Sequence, residues 1–227
     1  MNGFVRFMKR NYKVIIIVAV ISVALWSFIP REKATDPEKD KMLLELLTFV
    51  IEKGHYNPAP IDDTFSKGVY KDYIEALDPS KRFFLQSDID EFAKYELQID
   101  DQIKNKDLSF FDLTYNRLMK RMEESKKIYT NLLAQPFNFN VDETLNVDYE
   151  KLPYATNEAD LKNRWTKILK LTLLSTITDK EKLEEEKKSK DATYAVTPFE
   201  KLEQEARKST KSNLDNNYSF IDRKSVV

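Results

Sequence analysis

Apolar residues recur at intervals of three or four positions through most of this chain, and that spacing predicts amphipathic helices. Helix-start signals agree with it, because Asp36-Pro37 and Thr197-Pro198 each place a capping residue before a proline at the first helical position. The predicted helices are Asp36–Gly54, Asp62–Leu77, Ser87 to about Ile103, Leu108–Ala134, one that starts at Asn157, and Thr197–Ser212. The apolar face of the first helix is formed by Met42, Leu43, Leu46, Leu47 and Val50.

The period changes after Pro136, which ends the fourth predicted helix. Phe137, Phe139 and Val141 alternate with asparagines, and a two-residue period is typical of a strand. Residues 145–147 alternate in the same way and are predicted to pair with that strand. The chain is therefore predicted to be mainly α, a multi-helix domain with one small β-hairpin.

The N-terminus has the pattern of a membrane or signal helix. Four basic residues between positions 6 and 13 precede the apolar run Val14–Ile29. These sixteen residues would span about 24 Å as a helix, a little less than the roughly 30 Å hydrocarbon core. We favour an uncleaved signal-anchor over a cleaved signal peptide for residues 1–30, because the run is longer than a usual signal core and no small-residue cleavage site follows. The basic flank predicts that residues 31–221 lie on the far side of the membrane.

Composition narrows the class of protein further. Only 3 of the 227 residues are glycine, where average usage would give roughly 16, and this scarcity favours helices over sheets and phosphate-binding loops. The 37 Lys and Arg residues balance 38 Asp and Glu residues, so no nucleic-acid partner is predicted. The charged stretch Lys180–Lys190 is predicted to be a solvated helix or an exposed linker rather than a binding tail. No cysteine is present, which excludes disulfides.

The residues offer little catalytic chemistry. His55 is the single histidine, and one histidine without cysteine makes a zinc site or a Ser-His-Asp triad implausible. The carboxylates cluster at positions 62–63, 88–91 and 100–101, where a helix N-terminus or a solvent-facing helix surface accounts for them. No catalytic, cofactor-binding or metal-binding residue is therefore predicted, and no cofactor.

The most distinctive stretch is Leu77–Phe92. Asp78-Pro79 predicts a turn, since proline disfavours the α region for the residue before it. Phe83, Phe84 and Leu85 form a short apolar plug, and Ser87 is predicted to cap the next helix. We interpret the stretch as a helix–helix corner pinned by two phenylalanines.

This corner resembles one in the N-terminal helical domain of tail-specific proteases, also called carboxy-terminal processing peptidases. Asp36–Tyr70 and Phe137–Leu174 are similar to the same family, so the resemblance spans most of the chain from Asp36 to Tyr218. It implies an exported serine endopeptidase of the bacterial cell envelope, on the periplasmic side and anchored in the inner membrane through residues 14–29. It also implies protein substrates with apolar C-termini that bind a PDZ domain, and a serine nucleophile activated by a lysine.

In the family layout, the PDZ and catalytic regions follow the helical domain, so the resemblance implies that they are missing from this chain and that the chain alone is inactive. No residue here matches the family's serine or lysine. The alternative is a membrane-anchored helical interaction or scaffold module without catalysis. We expect residues 222–227 to be an artefactual tail on a truncated fragment, and the 31–221 domain to be helical but prone to aggregate, because faces that dock the missing regions would be exposed.

Overall fold

The protein is described by a computed structural model at residues 37–54 and 60–224, and these residues form a mainly helical domain. The prediction of a mainly α fold is confirmed. The predicted membrane segment 14–29 and His55 lie outside the described residues. No helix among the described residues is long and apolar enough to cross a membrane. The seven α-helices of this part are α1 (Pro37–Phe49), α2 (Asp63–Leu77), α3 (Gln86–Phe92), α4 (Ile99–Asn105), α5 (Ser109–Leu133), α6 (Glu158–Lys190) and α7 (Phe199–Lys224).

Helix starts follow the capping residues in the sequence. The Asp62 carboxylate accepts hydrogen bonds from the backbone N–H groups of Thr64 (2.9 Å) and Phe65 (3.1 Å) at the start of α2. The Asn157 side chain accepts one from the N–H of Asp160 (2.9 Å) at the start of α6. These contacts satisfy backbone donors that have no partner inside the helix, which confirms both predicted starts.

The prediction of one continuous helix from Ser87 to about Ile103 is wrong. It breaks into α3, a 3-10 turn at Ala93–Tyr95, and α4. A straight helix would hold Phe92 and Ile99 about 10 Å apart along its axis. The break allows both side chains to pack in one core with Phe110.

The predicted β-hairpin is also wrong, because the described residues contain no strand. The segment 136–157 is irregular, and its alternating aromatic side chains pack on helices instead of on a partner strand. The rings of Phe137 and Phe139 stack at 6.3 Å, and Phe139 meets Phe199 of α7 edge-on at 6.1 Å. An apolar residue at every second position therefore indicates that the side chains of an extended backbone alternate in direction. It does not indicate that this backbone is hydrogen-bonded to another strand.

The last helix is longer than predicted, and the helix before it includes the charged stretch. α6 continues through the charged stretch Lys180–Lys190, which is helical and mostly exposed, as one of the two predicted alternatives had it. α7 runs past Ser212 to Lys224. Its length lets Ala206 and Tyr218 contribute to the same core as Trp165 of α6.

Two clusters of buried side chains hold the domain together. The first lies between α5, α6 and α7 and includes Tyr129, Trp165 and Leu173. The second lies between α2, α3, α4 and the start of α5, and is centred on Phe84 and Phe110. The segment from Asp78 to Leu85 passes between them.

Candidate functional site at the Asp78–Leu85 corner

The segment Asp78–Leu85, called the corner below, is organised by one buried carboxylate. Asp78 is fully buried, and its two oxygens accept hydrogen bonds from the backbone N–H groups of Arg82, Phe83 and Phe84, each at 2.9 Å. Burial raises the pKa of the Asp78 carboxyl, and the three N–H groups oppose that rise. Asp78 therefore acts as the acceptor that closes the turn after α2.

The two phenylalanines of the corner point into different cores. Phe84 belongs to the cluster around Phe110, whereas Phe83 and Leu85 belong to the cluster around Trp165. Adjacent side chains point to opposite sides of an extended backbone, and this geometry lets three consecutive residues join the two clusters. The prediction of a corner pinned by two phenylalanines is confirmed.

Residues 150–153 and helix α6 both form hydrogen bonds with the corner. Lys81, with φ of 48°, donates from Nζ to the carbonyl oxygens of Glu150 (3.1 Å) and Leu152 (2.7 Å). Arg164 of α6 donates to the carbonyl oxygens of Lys81 (2.8 Å) and Pro153 (3.0 Å). These bonds tie the corner to residues 150–153 and to α6.

Asp88, and not the predicted Ser87, caps α3. Leu85 occupies the capping position, and Asp88 reaches back from the third helical position to accept from the N–H of Leu85 at 2.9 Å. This is half of a capping box, since leucine has no acceptor to complete it. The prediction failed because Asp88 was assigned only a favourable interaction with the helix dipole. Its ability to accept a hydrogen bond from the backbone before the helix was not considered.

Asp88 is also the centre of a buried ion-pair network. Its carboxylate has no solvent exposure and accepts two bonds from Arg121, from Nε at 2.8 Å and from a terminal nitrogen at 3.0 Å, and a further bond from Arg117. Arg117 also pairs with Glu91 at 2.6 Å. Burial opposes ionisation of Asp88, but the bonds from Arg121, Leu85 and Arg117 outweigh it and hold its pKa below the usual range. The network fastens α3 to α5.

Several polar atoms are buried beside the corner: Nε of Arg82, which has no hydrogen-bond partner within the described residues, and the neighbouring hydroxyls of Ser125 and Tyr218. Buried polar atoms are nearly always paired, so the Arg82 nitrogen stands out. The Arg82 guanidinium lies 5.0 Å from the ring of Phe83 and 5.6 Å from that of Trp165. The indole N–H of Trp165 donates to the Arg82 carbonyl at 2.9 Å.

A serine, an aspartate and a lysine meet between α2 and α4. Ser66 donates to the Asp100 carboxylate at 2.7 Å and accepts from the Asp100 N–H at 2.8 Å, while Lys104 contacts the other carboxylate oxygen at 2.7 Å. Hydrogen bonds from Lys104 and Ser66 lower the pKa of Asp100. Ser66 is fully buried, so its hydroxyl cannot meet a polypeptide substrate. The group joins the start of α4 to α2.

The predicted carboxylate clusters do lie at helix starts, but two of their members are buried, Asp88 and Asp100. Within residues 37–54 and 60–224, no group of three or more metal-ligating side chains is arranged to hold an ion. Arg117 and Arg121 were not predicted from the sequence, although their spacing of four residues places both on one face of α5.

Glu184, in the charged part of α6, was also missed. It is buried and accepts from the N–H of Thr197 at 2.9 Å and from the Tyr194 hydroxyl at 3.0 Å, and it pairs with Lys187 at 2.9 Å. The hydrogen bond from the Thr197 backbone is the largest cause that lowers the pKa of Glu184, to about 2. This carboxylate fixes the connection between α6 and α7.

An apolar groove of about 280 Å³ lies between residues 139–147 and α6. Leu171 and Leu174 are among its lining residues and remain about half exposed. Lys170 at its edge pairs with Glu143, and Lys167 donates to the Thr144 carbonyl at 3.0 Å. The groove therefore has apolar walls, and both of these lysines already contact other residues of the domain.

Comparison with known proteins identifies the family. The family model described as "Tail specific protease N-terminal domain" matches residues 47–225. The tail-specific protease of Haemophilus influenzae is 34% identical over 130 residues, which cover 56% of this chain and 19% of the relative. The chain thus spans about a fifth of the length of that protein. The corner and both cores lie within the matched region, and the chain belongs to the tail-specific protease N-terminal domain family.

Proposed function

We propose that this chain is the scaffold domain of a membrane-tethered tail-specific protease that cleaves proteins with apolar C-terminal tails. The observation that carries the proposal is the family match across residues 47–225. In this proposal residues 31–221 form the domain, and the serine nucleophile, its lysine and the PDZ region belong to the rest of the protease.

The chemistry of the corner supports a scaffolding role. Its polar groups form internal contacts: Asp78 closes the turn, and Lys81 donates to two carbonyl groups. Asp88, just beyond the corner, pairs with two arginines. The buried Ser66 offers no accessible nucleophile. Such an arrangement gives a rigid support for a neighbouring catalytic domain, and the chain alone is inactive.

The membrane tether belongs to the same proposal. The apolar run 14–29, with basic residues before it, anchors the protein in the inner membrane and leaves the domain on the periplasmic side. Carbonate extraction of membranes that contain the full chain tests the tether. The full chain is expected in the pellet, and its release into the soluble fraction would contradict anchoring.

The proteolytic function is tested with two reporter proteins that differ only in an apolar or a polar C-terminal tail. The full chain is expected to cleave neither. The gene sequenced beyond codon 221 is expected to continue in frame, and its longer product is expected to cleave only the reporter with the apolar tail. Cleavage by the present chain, or a longer product without preference between the tails, would refute the proposal.

A membrane-anchored interaction module without catalysis is the second candidate. The apolar groove between residues 139–147 and α6 favours it, because half-exposed leucines beside an irregular segment are typical of a surface that another protein covers. A genuine stop codon after Val227 in the source gene would support this candidate over the first.

A further inference from the structure

From Met42 onward, the side of α1 that faces away from the domain is apolar, and Lys39 lies on the same side one turn earlier. The exposed stripe consists of Met42, Leu43, Leu46, Phe49 and Val50, whose exposures run from 52% to 68%. At about 100° per residue, the four members within α1 fall in an arc of about 120°. Four of these five residues, all but Phe49, belong to the apolar face predicted from the sequence, and within the described residues nothing covers the stripe.

The opposite side of α1 makes the contacts with the domain. Leu44, about 160° from the centre of the stripe, lines an apolar depression of about 170 Å³ with Val69, Ile103 and Phe110. Glu45 pairs with Lys106 just beyond α4. α1 is thus apolar on two sides, and only one of them has a partner in the domain.

The position of α1 in the chain indicates what covers the exposed stripe. Ile29, the last residue of the predicted membrane segment, precedes Pro37 by eight residues. Eight residues reach at most about 28 Å even when fully extended. The start of α1 is therefore held within about one bilayer thickness of the point where the chain leaves the membrane. Such tethering gives the stripe a high effective concentration at the lipid surface.

We propose that α1 lies flat on the bilayer, with the stripe inserted at the boundary between headgroups and acyl chains and the Leu44 side against the domain. The proposal rests on the membrane tether of the proposed function. An interfacial α1 also sets the height and tilt of the domain above the membrane.

The experiment uses the full chain reconstituted in vesicles of phosphatidylethanolamine and phosphatidylglycerol. The sequence contains no cysteine, so Leu46→Cys and Lys41→Cys each carry a single site for a nitroxide spin label. Lys41 is exposed and lies on the other side of the same helix, which makes it the matched control. Accessibility of each label is measured to oxygen, which concentrates in lipid, and to a water-soluble nickel chelate.

The label at position 46 is expected to be reached by oxygen and shielded from nickel, and the label at position 41 to be reached by nickel. Adding Phe49→Glu to the Leu46→Cys chain is expected to bring the oxygen-to-nickel ratio down to that at position 41. Equal access of nickel to both labels would overturn the inference. A label at position 46 shielded from both reagents would also overturn it, because a second copy or another protein surface would then cover the stripe.

Carbonate extraction of the same vesicles separates this inference from the tether on which it rests. A chain that stays in the pellet while its label at position 46 is reached by nickel disproves the interfacial helix and leaves the tether intact. A chain that is released disproves the tether.

Discussion

Replacing Asp78 by alanine is expected to be among the most damaging single changes at the corner. The change leaves the buried N–H groups of Phe83 and Phe84, and the partly buried N–H of Arg82, without an acceptor. Each unsatisfied donor costs about 1–3 kcal/mol. Removal of a buried carboxylate returns part of that cost, because burial disfavours its ionised form and raises its pKa. We expect a net loss of about 3–5 kcal/mol, a large share of the roughly 5–15 kcal/mol that stabilises a typical domain.

The substitution Asp78→Asn removes the negative charge but keeps one oxygen that can accept hydrogen bonds. One amide oxygen can still accept from Phe83 and Phe84, as a single carboxylate oxygen does in the structure, whereas the N–H of Arg82 would face the amide nitrogen. The expected loss is about 1–3 kcal/mol, smaller than that for alanine. Asp72→Ala is the control, since Asp72 is exposed on α2, and it should change stability by no more than about 0.5 kcal/mol.

Urea unfolding followed by far-UV circular dichroism measures all three variants. With a denaturant slope of about 2 kcal/mol/M, a loss of 4 kcal/mol lowers the midpoint by about 2 M. The reasoning would be refuted if Asp78→Ala matched the Asp72→Ala control, or if asparagine cost as much as alanine.

Three further predictions concern other buried polar groups. Arg121→Ala leaves Asp88 with one arginine fewer and should cost about 3 kcal/mol in urea unfolding, whereas Lys120→Ala, at an exposed neighbour, should be nearly neutral; equal losses would argue against the network. Because the folded-state pKa of Glu184, about 2, lies below its ordinary value of 4.5, its stabilisation is present above pH 4.5 and is lost as pH falls towards 2. Protection of the amides of residues 191–197, taken as the intrinsic exchange rate at each pH divided by the observed rate, should therefore fall over that interval, and Glu184→Gln should remove this change. Tyr218→Phe removes a buried hydroxyl whose neighbour is the Ser125 hydroxyl and should cost no more than about 1 kcal/mol in thermal unfolding; a larger loss would reveal a further partner such as a bound water.

The sequence determined the helical class and several helix ends by local rules. Asp62 and Asn157 cap α2 and α6 because their side chains accept from backbone donors only a few residues ahead. The turn at Asp78-Pro79 and its two phenylalanines followed from the same short-range chemistry. Family membership could also be inferred from the sequence, since the resemblance rests on side chains that build this corner.

The tertiary structure decided which residues contact each apolar or charged side chain. Phe137 and Phe139 alternate as in a strand, yet helices supply their neighbours, so no hairpin forms. Asp88 has the local signature of a first-turn acid, but its burial depends on Arg121, which is distant in the chain. Local periodicity specifies which side of an element is apolar or charged, whereas the contact that satisfies that side comes from residues far away in sequence. For that reason, the sequence predicted the apolar face of α1, and the folded domain alone revealed that this face is left uncovered.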